Sequence, residues 1–187
     1  MLRGVSGMPA AKWCSMTLCL AVFNAASAFG LKLNDRPLPY PAPDATFSSQ
    51  GKTHHLKAYR GRKVMLWMFS TWCHTCAAGV RVLSAQRALL ARQGLIVLAI
   101  RNHNNHGYPG LRIEAFVRQF GGPALLHSPH WVLGEASQAM DQVYNARKYP
   151  DIYFLIDEKG RVQAVGTAPH LSIKTIVKFA SGGKENE

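Results

Sequence analysis

Residues 64–76 constrain this chain more than any other segment. An apolar run, Val-Met-Leu-Trp-Met-Phe-Ser, leads through Thr71 into Trp72-Cys73-His74-Thr75-Cys76. Such a run suits a strand buried on both faces. Beyond it, Val80, Leu83 and Leu90 recur at helical spacing, which predicts a helix over residues 76–93 stopped by Gly94. A strand passing straight into a helix sets the first cysteine at the helix N-terminus. Free N–H groups and the helix dipole there stabilise a thiolate. The two-residue spacing lets both sulfurs meet within one helical turn.

The rest of the chain alternates in the same way. A second buried strand is expected over residues 95–100, and a turn at Tyr108-Pro109-Gly110. A helix over 113–120 is closed by Gly121-Gly122-Pro123, followed by a short strand at 124–127 and a helix over 135–144. Strands at 152–156 and 162–165 flank a turn at 157–160, as in a hairpin. A last helix over 171–179 offers Leu171, Ile173, Ile176 and Val177 to the core. Ahead of all this, Pro37, Pro39, Pro41 and Pro43 mark an extended lead-in, because proline fixes φ and removes a donor. Gly51-Lys52-Thr53 is a turn between short extended pieces. This order describes an α/β fold with a mixed central sheet flanked by helices. Right-handed crossovers place the loops after Ser70 and after Ile100 at one edge of the sheet, where chemistry is expected.

The chain has 22 Lys and Arg against 10 Asp and Glu. The cations are scattered singly, apart from Arg60, Arg62 and Lys63, so they describe a basic solvated surface and not a nucleic-acid site. Residues 1–28 have the form of a signal peptide. Arg3 and Lys12 precede an apolar run at 16–23, and Ala26-Ser27-Ala28 is a small-x-small cleavage site. An amphipathic helix or an uncleaved anchor competes with that reading. Cleavage leaves a domain of residues 29–187 with its core at about 40–180, beginning near Phe29. It removes Cys14 and Cys19, so that Cys73 and Cys76 are the pair that remains. One pair is not a disulfide scaffold. A Cys-x-x-Cys can also be half a zinc site, but no second cysteine pair follows to complete it. Thiol-disulfide exchange is the favoured chemistry. The thiolate of Cys73 attacks a substrate disulfide, and Cys76 resolves the mixed disulfide. His74, when protonated, favours the Cys73 thiolate and makes the pair more oxidising. A spacer role is the alternative.

The ordered landmarks Ala42-Pro43-Asp44, Gly51-Lys52-Thr53, Tyr59-Arg60-Gly61-Arg62-Lys63, Thr71-Trp72-Cys73-x-x-Cys76 and Phe154-Leu155-Ile156-Asp157 resemble the periplasmic thioredoxin-like redoxins. That group includes the TlpA-like proteins and the reductases of cytochrome c maturation. The resemblance implies a thioredoxin-like fold and an exported, periplasmic thiol:disulfide oxidoreductase. It implies protein thiol or disulfide substrates, a reducing direction, and a separate redox partner protein. No cofactor, metal, nucleic acid or stable membrane span is implied once the signal is cleaved. Cys73 and Cys76 are then catalytic, with Trp72, His74 and Thr75 tuning the redox pair. Tyr149 and Pro150 are expected to bind substrate, through a cis peptide bond facing the cysteines and a backbone that pairs with the substrate chain. Three places depart from the family pattern: Arg81 in place of a helix-kinking proline, His74-Thr75 without proline, and Trp67 in place of a polar or acidic residue. The last removes one proton acceptor for Cys76. Two other activities remain open, a copper-handling thioredoxin-fold protein and a peroxiredoxin-like peroxidase. His103 and His106 follow the second strand, and they are either an ordinary polar loop or partners of the cysteines in proton transfer or metal binding.

Overall fold

The computed structural model describes residues 35–183. The chain divides into units Met1–Gly30 and Leu31–Glu187, and the described residues all belong to the second. The expected signal peptide, residues 1–28, lies outside them. No helix among the described residues is long and apolar enough to cross a membrane.

Eight strands form one sheet. Near the N-terminus lie β1 (Tyr40–Pro41), β2 (Thr46–Ser49) and β3 (Lys52–His55). The central strands are β4 (Val64–Phe69), β5 (Ile96–Arg101) and β6 (Trp131–Ala136), followed by β7 (Asp151–Ile156) and β8 (Arg161–Gly166). Their spatial order is β1-β8-β7-β4-β5-β6-β2-β3. Strand β4 runs parallel to β5 and antiparallel to β7, and β5 runs parallel to β6. The helices are α1 (His74–Ala85), α2 (Arg87–Arg92), α3 (Ile113–Gly121), α4 (Gln138–Tyr144) and α5 (Ile173–Ala180). The mixed sheet flanked by helices is the expected architecture.

All six residues of β4 are buried. Alternate side chains point to opposite faces, and each face has its own apolar layer. Met65, Trp67 and Phe69 pack with Val80, Leu83, Phe116, Val117 and Ile176. Leu66 and Met68 pack with Leu98, Ile100, Met140, Tyr144 and Phe154. A strand covered on both sides has no polar face to show, which is why its sequence reads as an unbroken apolar run.

Four expectations are corrected. The helix over 76–93 is two helices, because Gln86 leaves helical geometry (φ −92°, ψ 3°) between α1 and α2. Residues Pro123–His127 form a 3-10 turn and not a strand. Pro123 lacks a donor and is preset for a turn. The strand in this region is β6, hidden from pattern reading by Gly134. A Cβ there would lie 2.7 Å from the Ser48 backbone oxygen, so the glycine that weakens the pattern is what admits β2 alongside. Glu135 accordingly lies within β6, and α4 starts later, where the Ser137 side chain caps Met140 N at 3.0 Å. Leu171 lies before α5 and is exposed, outside the core.

Candidate active site

Strand β4 ends at Phe69, and α1 begins at His74 with Cys73 as its N-cap. The short link carries the redox motif to the edge of the sheet where β5 also ends. Cys73 and Cys76 form a disulfide, with Cα atoms 5.2 Å apart. Cys73 Sγ accepts from Cys76 N at 3.2 Å and lies 3.0 Å from Thr75 Oγ1. The helix start and a hydroxyl therefore both point at the first sulfur, the arrangement that favours a thiolate on Cys73. Cys76 is wholly buried, Cys73 nearly so, and His74 and Thr75 are exposed beside them.

The loop after β5 holds Trp72 in place. Asn104, Asn105 and His106 all take left-handed backbone, with φ 47°, 52° and 56°, a conformation that asparagine tolerates better than most residues. Asn105 Oδ1 accepts from Thr71 N at 2.9 Å, and Asn105 O accepts from Trp72 Nε1 at 3.1 Å. The Trp72 ring lies 5.0 Å from that of Tyr108. Both rings are exposed. They give the disulfide an apolar rim.

The Tyr149–Pro150 bond is trans, which corrects the expectation of a cis bond. Leu38–Pro39 is the cis bond among the described residues. The chain reverses instead at Lys148, which is left-handed with φ 54°. The segment still faces the redox pair, since Pro150 O lies 3.5 Å from Cys76 Sγ and accepts from Ser70 N at 2.8 Å. Its backbone is already engaged. Asn145 accepts from Tyr149 N and donates to Tyr149 O, each at 2.8 Å. Asn102 Nδ2 reaches Ser70 Oγ at 2.9 Å, Pro150 O at 3.3 Å and Tyr149 O at 3.4 Å. Asn145 Nδ2 also donates to Asn102 Oδ1 at 3.1 Å. Substrate pairing to the Tyr149 backbone is therefore not available in this arrangement. What Tyr149 and Pro150 offer outward is side-chain surface.

Trp67 is fully buried and stacked on Phe69 at 4.3 Å. Arg81 does not kink α1, and its guanidinium lies 4.8 Å from the Phe120 ring centre, within cation–π range. The acid missing from β4 is supplied by β7. Asp151 is buried, and its Oδ2 lies 4.0 Å from Cys76 Sγ. Burial pushes its carboxyl above the ordinary range, while the Ala168 N–H bond and the His170 charge act in the opposite sense. Cys73, Cys76 and Asp151 each offer one ligand atom within 4.8 Å of the others, a set that opens to a soft metal only when the disulfide is reduced. His103 and His106 are not in that group. His106 Nε2 pairs with Asp141 at 3.2 Å, and His103 Nδ1 faces Ala136 O at 3.3 Å.

Sequence reading missed Asp151, Asn102, Asn105 and Asn145. The Asn104-Asn105 pair carried a signal, as a marker of left-handed turns. The other residues carried none.

Residues 38–165 match the model of the AhpC/TSA family. The chain is 33% identical over 129 residues to the thiol-disulfide oxidoreductase ResA of Geobacillus thermodenitrificans (strain NG80-2), covering 67% of each chain. A protein of Chlorobium tepidum assigned as a thiol:disulfide interchange protein DsbE superposes with TM-score 0.60 at 19% identity, over 77% of this chain and 97% of that one. A secreted disulfide oxidoreductase of Mycobacterium tuberculosis superposes with TM-score 0.53 at 15% identity, over 73% and 94%.

Proposed function

The chain belongs to the AhpC/TSA family, and from that premise we propose that this thiol-disulfide oxidoreductase works outside the cytoplasm, in the reducing direction, through Cys73 and Cys76. The observation that carries the reading is the disulfide itself, set at the start of α1 with one sulfur capping the helix and the other buried beneath it. A thiolate on Cys73 attacks a substrate disulfide, and the sulfur of Cys76 then displaces the reduced product. Trp72, with Tyr108 beside it, and the side chains of Tyr149 and Pro150 form the surface that receives the substrate chain. His74 and Thr75 tune the first sulfur. A separate redox protein re-reduces the pair.

Export is supported by the form of residues 1–28, with a charged start, a short apolar run and Ala26-Ser27-Ala28. The reducing direction is supported by the resemblance to the reductases of cytochrome c maturation. A copper-handling role has less support, because only two residues stand between the two cysteines and no histidine joins them in the candidate ligand group. A peroxidase of the peroxiredoxin kind has less support as well. Its attacking cysteine follows a proline and a threonine and acts alone, whereas Cys73 follows Ser70-Thr71-Trp72 and is bonded to Cys76.

One preparation tests the roles and the location. Reduced protein titrated with iodoacetamide at neutral pH should alkylate at Cys73 first. The Cys76→Ser variant should retain exported proteins as mixed disulfides that a reductant releases. Protein recovered from outside the cytoplasm should have the mass of a chain starting near Phe29. Faster alkylation of Cys76 would reverse the roles, and a full-length cytoplasmic product would remove the exported reading.

A further inference from the structure

Strand β4 brings no acid to the redox pair, since Trp67 and Phe69 fill its face toward α1. Its antiparallel neighbour does. Asp151 is paired with Phe69 across the β4–β7 ladder, and directly opposed residues share a face, so its carboxyl lies in the layer that holds the cysteines. It is 4% exposed. Oδ1 accepts from Ala168 N at 2.7 Å, which fixes the group, and Oδ2 is left facing Cys76 Sγ at 4.0 Å. A buried carboxyl with one oxygen held by a backbone donor and the other against a sulfur that becomes a thiol on reduction is placed for proton exchange.

We infer that Asp151 is the proton acceptor and donor for Cys76, taking the thiol proton when the mixed disulfide is resolved and returning it when the disulfide is reduced. The inference rests on the oxidoreductase reading above. In the first step the Cys73 thiolate bonds to one substrate sulfur, and the other sulfur leaves as a thiolate and is protonated by solvent. In the second, the Cys76 proton passes to Asp151 and the Cys76 sulfur bonds to Cys73 Sγ. The bond from Cys73 to the substrate breaks, and the second substrate thiolate leaves. Asp151 releases its proton to solvent, from which that thiolate is protonated. The dithiol is oxidised by two electrons and the substrate disulfide is reduced by the same two. Several titratable groups face Asp151. Cys73 and Cys76 do so from the start of α1, His170 from the loop before α5, and Tyr153 from its own strand. His170 also has a buried Nδ1 with no partner. Its charge favours the ionised carboxylate that the acceptor role needs.

The test uses oxidised glutathione, the reduced protein of residues 29–187, and rapid acid quench with mass spectrometry from pH 5 to 9. In wild type the glutathionylated intermediate should stay scarce at neutral pH, with resolution slowing only as pH falls through the Asp151 ionisation. Asp151→Asn keeps the acceptor for Ala168 N. It should slow resolution by about a hundredfold at pH 7, the lower end of the range for general acid–base catalysis. The deficit should shrink as pH rises and hydroxide takes the Cys76 proton. Forming the intermediate is the work of Cys73, so in a Cys76→Ser background its rate should not change when Asp151→Asn is added. Resolution in Asp151→Asn at the wild-type rate with the wild-type profile overturns the inference. If the variant does not fold, the wild-type profile decides alone. A resolution rate rising tenfold per pH unit from 5 to 8 means that no internal base acts. Wild type that never reduces glutathione disulfide defeats the oxidoreductase reading and this inference with it, whereas an intermediate that forms normally and resolves without Asp151 overturns this inference alone.

Discussion

Trp67 shows how one side chain redistributes chemistry among its neighbours. It brings an aromatic ring to the layer beneath α1 and closes β4 to an acid, and the carboxyl that faces Cys76 comes from Asp151 instead. Cys73, Cys76 and Trp72 were legible in the sequence because their meaning is local: the spacing, the strand before and the helix after. Asp151 was not, since its contact with Cys76 spans 75 residues and an aspartate after a proline reads as an ordinary turn. Asn102 and Asn145 meet across 43 residues and were silent for the same reason. His74 is readable but needs measurement. A cation beside Cys73 stabilises the reduced protein through its thiolate, so His74→Gly should lower the reduction potential. The shift should be on the order of 30 mV for each unit by which the thiol pKa rises. Glutathione redox titrations of both proteins at several pH values measure this, and equal potentials would make His74 a spacer.

At the scale of the element, α1 is shaped by what lies under it. Gly79 faces the sheet, and a Cβ there would stand 2.9 Å from Trp67 Cζ2 and 3.1 Å from Cη2. The ring is wholly buried and stacked on Phe69, so it has nowhere to go. Two effects oppose each other in Gly79→Ala. Alanine gains about 1 kcal/mol of helix propensity, while overpacking a filled core costs about 1–3 kcal/mol. The clash wins, and the variant should lose on the order of 1 kcal/mol, read as a lower urea midpoint with an unchanged slope. A raised midpoint would show that α1 can lift away from the sheet. Strands β4, β5, β7 and β8 were legible because burial on both faces or hairpin punctuation left a strong pattern. Strand β6 was not, because its glycine answers to a neighbouring backbone and not to its own strand.

For the molecule as a whole, four tyrosines set the alkaline limit of stability. Tyr40, Tyr59, Tyr144 and Tyr153 are all pushed upward by burial, Tyr40 to about 12. Tyr144 also donates to Pro43 O at 2.5 Å. In the unfolded chain these phenols ionise near pH 10, while in the fold they stay neutral. A raised folded pKa gives stability that is complete below the unfolded value and is lost as pH rises through the folded one. The free energy of unfolding should therefore hold to about pH 10 and fall from there to pH 12. Tyr144→Phe should cost about 1 kcal/mol at pH 7 through the lost hydrogen bond yet fall less steeply above pH 10. Parallel curves for the two proteins would place the alkaline loss elsewhere.

The frame around the redox pair is made of carboxamides. Asn102, Asn105 and Asn145 hold Ser70, Thr71, Trp72 and the Tyr149–Pro150 segment in place, and none of the three side chains can gain or lose a proton in water. The thiols and Asp151 change charge as they work, while these three carboxamides that help to aim them do not. Where the acidity around the protein changes, these carboxamide contacts keep their charge, while the thiols and Asp151 follow the surroundings.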